Sequence, residues 1–90
     1  MTNSNVSPFA VGNNVFLLGS TNYFIGKVVA IGDDEVVLSD CSWVADVVMD
    51  EALQHGKLRE SRYLGVTCSV PRGTVSVVFP WNHPLPTKSI

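Results

Sequence analysis

Charge is scarce in this chain, and motifs that carry chemistry are scarcer. Only 16% of the 90 residues are Asp, Glu, Lys or Arg, with six basic residues against eight acidic ones and a formal charge of -2. That balance excludes a generally basic protein that coats nucleic acid by charge alone, although a small local patch survives a weak opposite net charge. No apolar run approaches the roughly 20 residues a helix needs to cross a bilayer. The start Met1-Thr2-Asn3-Ser4-Asn5 has neither a basic flank nor a signal-like core after it. A cytoplasmic chain with no membrane partner is therefore expected, and Asn5-Val6-Ser7 then fits the glycosylation pattern by accident. Two cysteines, Cys41 and Cys68, are too few for a disulfide scaffold and form no CxxC pair. They read as buried thiols, with a bridge between neighbouring strands as the alternative.

Nucleotide and hydrolase signatures are missing too. There is no GxxxxGK loop, no dinucleotide fingerprint and no G-x-S-x-G elbow. His55 and His83 stand at no ligand-like spacing to the cysteines, so neither a metal nor a cofactor is expected. Cys41 or Ser42 with a histidine and Asp46 makes a triad on paper. Such a choice exists in most chains of this size, which leaves a small hydrolase as the remote reading. Asp33-Asp34-Glu35 lacks the spread of oxygen ligands that a calcium loop needs and reads as a solvated turn.

What is present is a dense apolar pattern. With 46% hydrophobic residues, seven glycines and five prolines, the chain is not wholly disordered. Its length suits one domain over 1–90, in which 1–7 are polar and flexible, 9–80 fold, and 80–90 form a proline-rich tail. A domain this small buries only roughly 60 to 65% of its unfolded surface, so burial against a partner is useful to it.

Val11 to Leu18 reads as a first strand, ended by the turn formers Gly19-Ser20-Thr21-Asn22. Tyr23 to Ile31 is a second, whose internal Gly26 permits a sharp bend or a close backbone approach. After the turn at Gly32, Val36 to Cys41 is a third. Trp43 to His55 is the one plausible helix, with Ser42 as N-cap and Gly56 as stop; its weak point is Val47-Val48, which lowers helix propensity, and the alternative is a turn followed by a shorter helix restarting at Asp50. Lys57 to Arg62 is polar, Tyr63 to Val70 is a fourth strand, Pro71-Arg72-Gly73 a turn, and Thr74 to Phe79 a fifth strand with period-2 alternation. The predicted fold class is mainly β: a small, strongly bent, five-stranded antiparallel barrel with one helical insertion between strands three and four.

Two stretches carry a resemblance. Val15-Phe16-Leu17-Leu18, then Phe24 to Ile31, an acidic turn and Val36 to Asp40 form one, and Val70-Pro71-Arg72-Gly73-Thr74-Val75 forms the other. Together they resemble the Sm-like small β-barrel, over about half of the chain. SH3-like barrels share the same hydrophobic spacing. More narrowly, Cys41 to Asp46 and Pro80-Trp81-Asn82-His83-Pro84-Leu85-Pro86 are similar to stretches of uncharacterised small bacterial, phage and mobile-gene-cassette proteins. The Sm-like resemblance implies edge-strand pairing between the fourth and fifth strands into a homo-oligomeric ring, and single-stranded RNA bound around a pore. Arg72 matches the arginine of the family's second motif. Acidic Asp33, Asp34 and Glu35 stand where the family has an aspartate and asparagine pair, and the helix follows the third strand instead of preceding the first.

Aromatic residues complete the picture, because Trp is enriched where interfaces bury their centres. Tyr23 and Arg72 make a conceivable stacking and phosphate pair for nucleic acid. Trp43, Val47, Val66, Val70, Val75, Val77 and Trp81 are the candidate interface residues. The leading expectation is a non-enzymatic oligomeric structural or interaction module, a ring by a narrow margin over a dimer. A single-stranded nucleic-acid-binding ring is the runner-up.

Overall fold

The computed structural model describes residues 9–20 and 22–90. The flexible segment expected over 1–7, and Thr21 of the first turn, lie outside the described residues. In chain order the elements are β1 (Asn14–Gly19), β2 (Tyr23–Ile31), β3 (Glu35–Asp46), α1 (Met49–His55), β4 (Glu60–Tyr63), β5 (Cys68–Pro71), a 3-10 turn at Arg72–Thr74, and β6 (Val75–Pro80). All recorded pairings are antiparallel and follow the order β4-β3-β2-β1-β6, with β5 also on β3.

Strand β1 explains the layering. Val15, Phe16 and Leu17 are buried in succession, so β1 is covered on both faces. Val15 and Leu17 join Val28, Val36, Leu38, Cys41 and Val70 in one cluster. Phe16 joins Ile25, Val44, Ala52, Leu58 and Trp81 in the other, which α1 and the tail roof over. The bend that separates the two clusters lies where β2 meets β3. Ile25 pairs with Ser42 and Lys27 with Ser39, which leaves Gly26 alone opposite Asp40 and Cys41. This is a β-bulge, and Asp40 takes the left-handed φ of 51°. A Cβ on Gly26 would stand 3.0 Å from the Ser39 carbonyl oxygen and 3.1 Å from Leu38 Cβ. Gly26 thus provides the bend and the close approach expected of it.

The sheet does not close into a barrel. Among the described residues, β5 pairs only with the first half of β3 and β6 only with β1, and no ladder joins β5 to β6. Two local features account for the gap. The 3-10 turn takes three residues between the two strands, and Pro71, the last residue of β5, has no N–H to donate. The Sm-like or SH3-like barrel expectation is corrected accordingly: the protein is an open, bent, six-stranded sheet with one helix. Ring assembly was derived from that barrel and loses this support.

Several element boundaries also move: the first strand begins at Asn14 instead of Val11, and Tyr63 to Val70 is not one strand, since Tyr63 ends β4, 64–67 form a loop and β5 begins at Cys68. Trp43 to Asp46 continue β3 instead of opening the helix, and Ser42, the expected N-cap, is a buried strand residue. Trp43, Val44, Val47 and Val48 are aromatic or β-branched and suit an extended chain. Helix α1 starts after Val48, which offers no side-chain cap, and ends as expected at Gly56 with φ 68°. The polar stretch before Arg62 holds the missed strand: Ser61 is buried between exposed Glu60 and Arg62, the alternation of a short edge strand.

Candidate functional site

The failure of the sheet to close creates its most distinctive surface. Between the unpaired edges of β5 and β6 lies a cleft of about 200 Å³, with Leu17, Phe24, Val70 and Val75 as its apolar lining. Gly19, Ser20, Asn22, Ser69 and Thr74 supply a polar rim. The rim is fixed by the backbone: the Ser20 N–H donates to the Thr74 carbonyl at 2.9 Å, and the Thr74 hydroxyl donates to the Pro71 carbonyl at 2.8 Å.

One wall of the cleft is strand β6. On one side it pairs with β1 from Val15↔Pro80 to Gly19↔Val75, with an irregularity at Leu18/Gly19. On its other side no strand pairs with it among the described residues. The segment Thr74 to Pro80 contains no charged residue, and Val77 is 42% exposed. Charged side chains are the usual guard on an open edge, and this one has none.

The opposite edge differs. Ser61 of β4 exchanges two backbone bonds with Ile90, N–H to carbonyl at 3.2 Å one way and 2.8 Å the other. The Tyr63 N–H donates to Ser89 Oγ at 2.9 Å. The tail that provides this cover is anchored by Trp81, only 4% exposed, whose indole N–H donates to the Pro84 carbonyl at 3.1 Å. The Trp81 ring packs on Phe16 at 5.9 Å and edge-on to His83 at 5.1 Å. His83 Nε2 donates to the Leu53 carbonyl at 2.9 Å, tying the tail to the end of α1.

The candidate residues fall into three groups. Val75 and Val77 lie on the open edge, and Val70 is buried beside it at the cleft. Trp81 is core, and Val47 is partly buried against the same cluster. Trp43 is half-buried, its indole N–H donating to Asn22 Oδ1 at 3.1 Å, while Val66 is exposed in the loop before β5. Tyr23 packs on Phe16 at 6.2 Å. Arg72 is engaged within the fold: Nη1 donates to the Gly32 carbonyl at 2.9 Å, its backbone N–H to the Asp34 carbonyl at 2.9 Å, and its guanidinium lies 5.6 Å from the Phe9 ring centre. No recorded contact joins Tyr23 to Arg72.

Of the paper triad, Cys41 and Ser42 are fully buried, and no hydrogen bond joins either to a histidine among the described residues. No group of three or more His, Cys, Asp or Glu side chains that could hold a metal occurs among them either. Within the described residues no helix is long and apolar enough to cross a membrane. The sequence reading missed the tail as cover for β4, because Ser89 and Ile90 carry no strand pattern of their own.

No protein-family model matches the chain, and no curated protein matches it. The Sm-like resemblance and the narrower one to bacterial, phage and mobile-cassette proteins thus receive no support from a match. The open sheet overturns the first as a description of architecture.

Proposed function

We propose that this protein is a non-enzymatic interaction module of the cytoplasm that self-associates through strand pairing at the open β6 edge. One observation carries the reading: among the described residues β6 is paired on one side only, and it holds no charged residue, while the β4 edge is covered by the chain's own tail. An edge of unpaired N–H and C=O groups is a template for another strand, and a second copy always supplies a strand of matching length and pattern. Antiparallel β6 to β6 pairing about a twofold axis satisfies both edges at once and brings the two Val77 side chains toward the join.

The nucleic-acid reading is less well supported, because the guanidinium of Arg72 is spent on Gly32 and Phe9 beside the exposed acids Asp33, Asp34 and Glu35. The deciding measurement is molar mass by light scattering across a concentration series. The unaltered chain is expected at a multiple of 9.8 kDa, and Val77→Lys at the monomer mass with an unchanged circular dichroism spectrum. A chain that is monomeric at every concentration overturns the proposal, as does a Val77→Lys variant that is folded and still associated.

A further inference from the structure

The β3 bulge has a second effect, on sulfur. In a regular strand Leu38 and Cys41, three residues apart, would face opposite ways. With the extra residue at Asp40, both are fully buried in the same cluster. Leu38 is the register partner of Cys68 in β5, and Cys68 packs against that cluster. The backbone of Cys41 also holds the loop that leads to Cys68. Its N–H donates to the Val66 carbonyl at 3.4 Å, and its carbonyl accepts from the N–H groups of Leu64 at 3.0 Å and Gly65 at 3.3 Å. Both cysteines are free, Cys41 wholly buried and Cys68 partly exposed.

We infer that Cys41 and Cys68 form a redox-active dithiol, with Cys68 the attacking sulfur, that closes to an intramolecular disulfide by exchange with a low-molecular-weight disulfide. The asymmetry of the pair sets the order of events. The neighbouring Cys68 thiol and burial push the Cys41 thiol up, whereas the neighbouring Cys41 thiol draws Cys68 down. The partly exposed Cys68 thiolate attacks one sulfur of the small disulfide, breaks its S–S bond and releases one thiol, which takes up the proton Cys68 gave up on ionising. Cys41 then attacks the Cys68 sulfur of the mixed disulfide. Its proton leaves with the second small thiol as the Cys41–Cys68 bond forms. Two cysteine sulfurs are oxidised and the two sulfurs of the small disulfide are reduced. The bond ties the start of β5 to the middle of β3, so it fixes one lip of the cleft and leaves β6 untouched.

The inference does not depend on self-association. Its test is incubation of the unaltered chain with oxidised glutathione, followed by intact-mass and peptide mass spectrometry. The expected product has lost two hydrogens, carries no glutathione and yields a peptide crosslinked between Cys41 and Cys68. In Cys41→Ser the reaction stops at a glutathione adduct on Cys68. In Cys68→Ser the buried Cys41 reacts at least about tenfold more slowly than Cys68 does in Cys41→Ser, because reactivity follows access and thiolate character. Unmodified thiols, a stable glutathione adduct on the unaltered chain, or disulfide-linked dimers would each overturn the inference. Circular dichroism checks that both variants are folded.

Discussion

Among the described residues the β4 and β6 edges carry the same obligation, a row of backbone N–H and C=O groups with no further strand beyond them, and it is met at one edge only. At β4 the cover is intramolecular: Ser89 and Ile90 bond to Ser61 and Tyr63, and exposed Glu60 and Arg62 add charge. At β6 there is no covering segment among the described residues and no charge, only exposed Ser76 and Val77 and the terminal Pro80. Short length, charge and covering segments are the means by which soluble sheets protect their edges. All three operate at β4, and none operates at β6, which is two residues longer than β4. The difference teaches that an exposed strand edge in so small a domain is informative only against a protected one in the same molecule.

The largest expected effect comes from breaking the protected side at its anchor. Trp81 fills the second cluster, packs tilted on Phe16 and edge-on to His83 and holds the tail through Pro84. Trp81→Ala is expected to cost about 3–5 kcal/mol, the usual range for a buried aromatic truncated to alanine. Denaturant unfolding measures it. A loss below about 1 kcal/mol would mean that Trp81 does not anchor this side.

A smaller change separates cover from core. Removing Ser89 and Ile90 leaves both clusters intact and deletes the two backbone bonds to Ser61 and the one to Tyr63. The expected cost is about 1–3 kcal/mol, since each such bond contributes on the order of 1 kcal/mol net. The truncated chain should also gain a second adhesive edge. Light scattering on the truncation combined with Val77→Lys tests this directly: renewed association through β4 is expected, and a strict monomer would show that Glu60 and Arg62 suffice as guards.

Much of this arrangement was legible in the sequence. Strand-like runs separated by Gly, Asn and Asp marked β1, β2 and the first part of β3, and Gly26 was the visible mark of the bend. Gly56 marked the helix end correctly because only a residue that tolerates a left-handed φ fits there. A Cβ at that position would also stand 2.7 Å from His83 Cγ. The helix start was misplaced because Val44 and Val48 show helical spacing from Trp43 onward, while the β-branched and aromatic character of that run favours a strand. β4 was hidden because four mostly polar residues pair only where β3 is already in place. Closure of the sheet was never a property of the strand pattern. It depends on where a three-residue turn and Pro71 send β6, which spacing does not encode.

The smallest effect concerns Arg72, which the sequence placed in a nucleic-acid motif and the structure places between two turns. Its side chain reaches the Gly32 carbonyl in the β2 to β3 turn, and its backbone N–H reaches Asp34. It therefore pins the turn that launches β6 to the far end of β2. The guanidinium is exposed, so water competes for it, and salt screens its attraction to Asp33, Asp34 and Glu35. Arg72→Ala should accordingly lower stability by only about 1 kcal/mol, the sum of one weakened hydrogen bond and an exposed contact with Phe9. Arg72→Lys should recover a minor part, because an ammonium keeps the charge but not the planar fork. The measurement is the urea midpoint of the three proteins at low and at high salt, with single-stranded RNA titrated into each. A midpoint unchanged by Arg72→Ala, together with RNA binding that the substitution removes, would transfer Arg72 from the turn to a phosphate site. The expected result is the reverse: a modest drop in stability carried mainly by the Gly32 bond and slightly smaller at high salt, with self-association through β6 preserved.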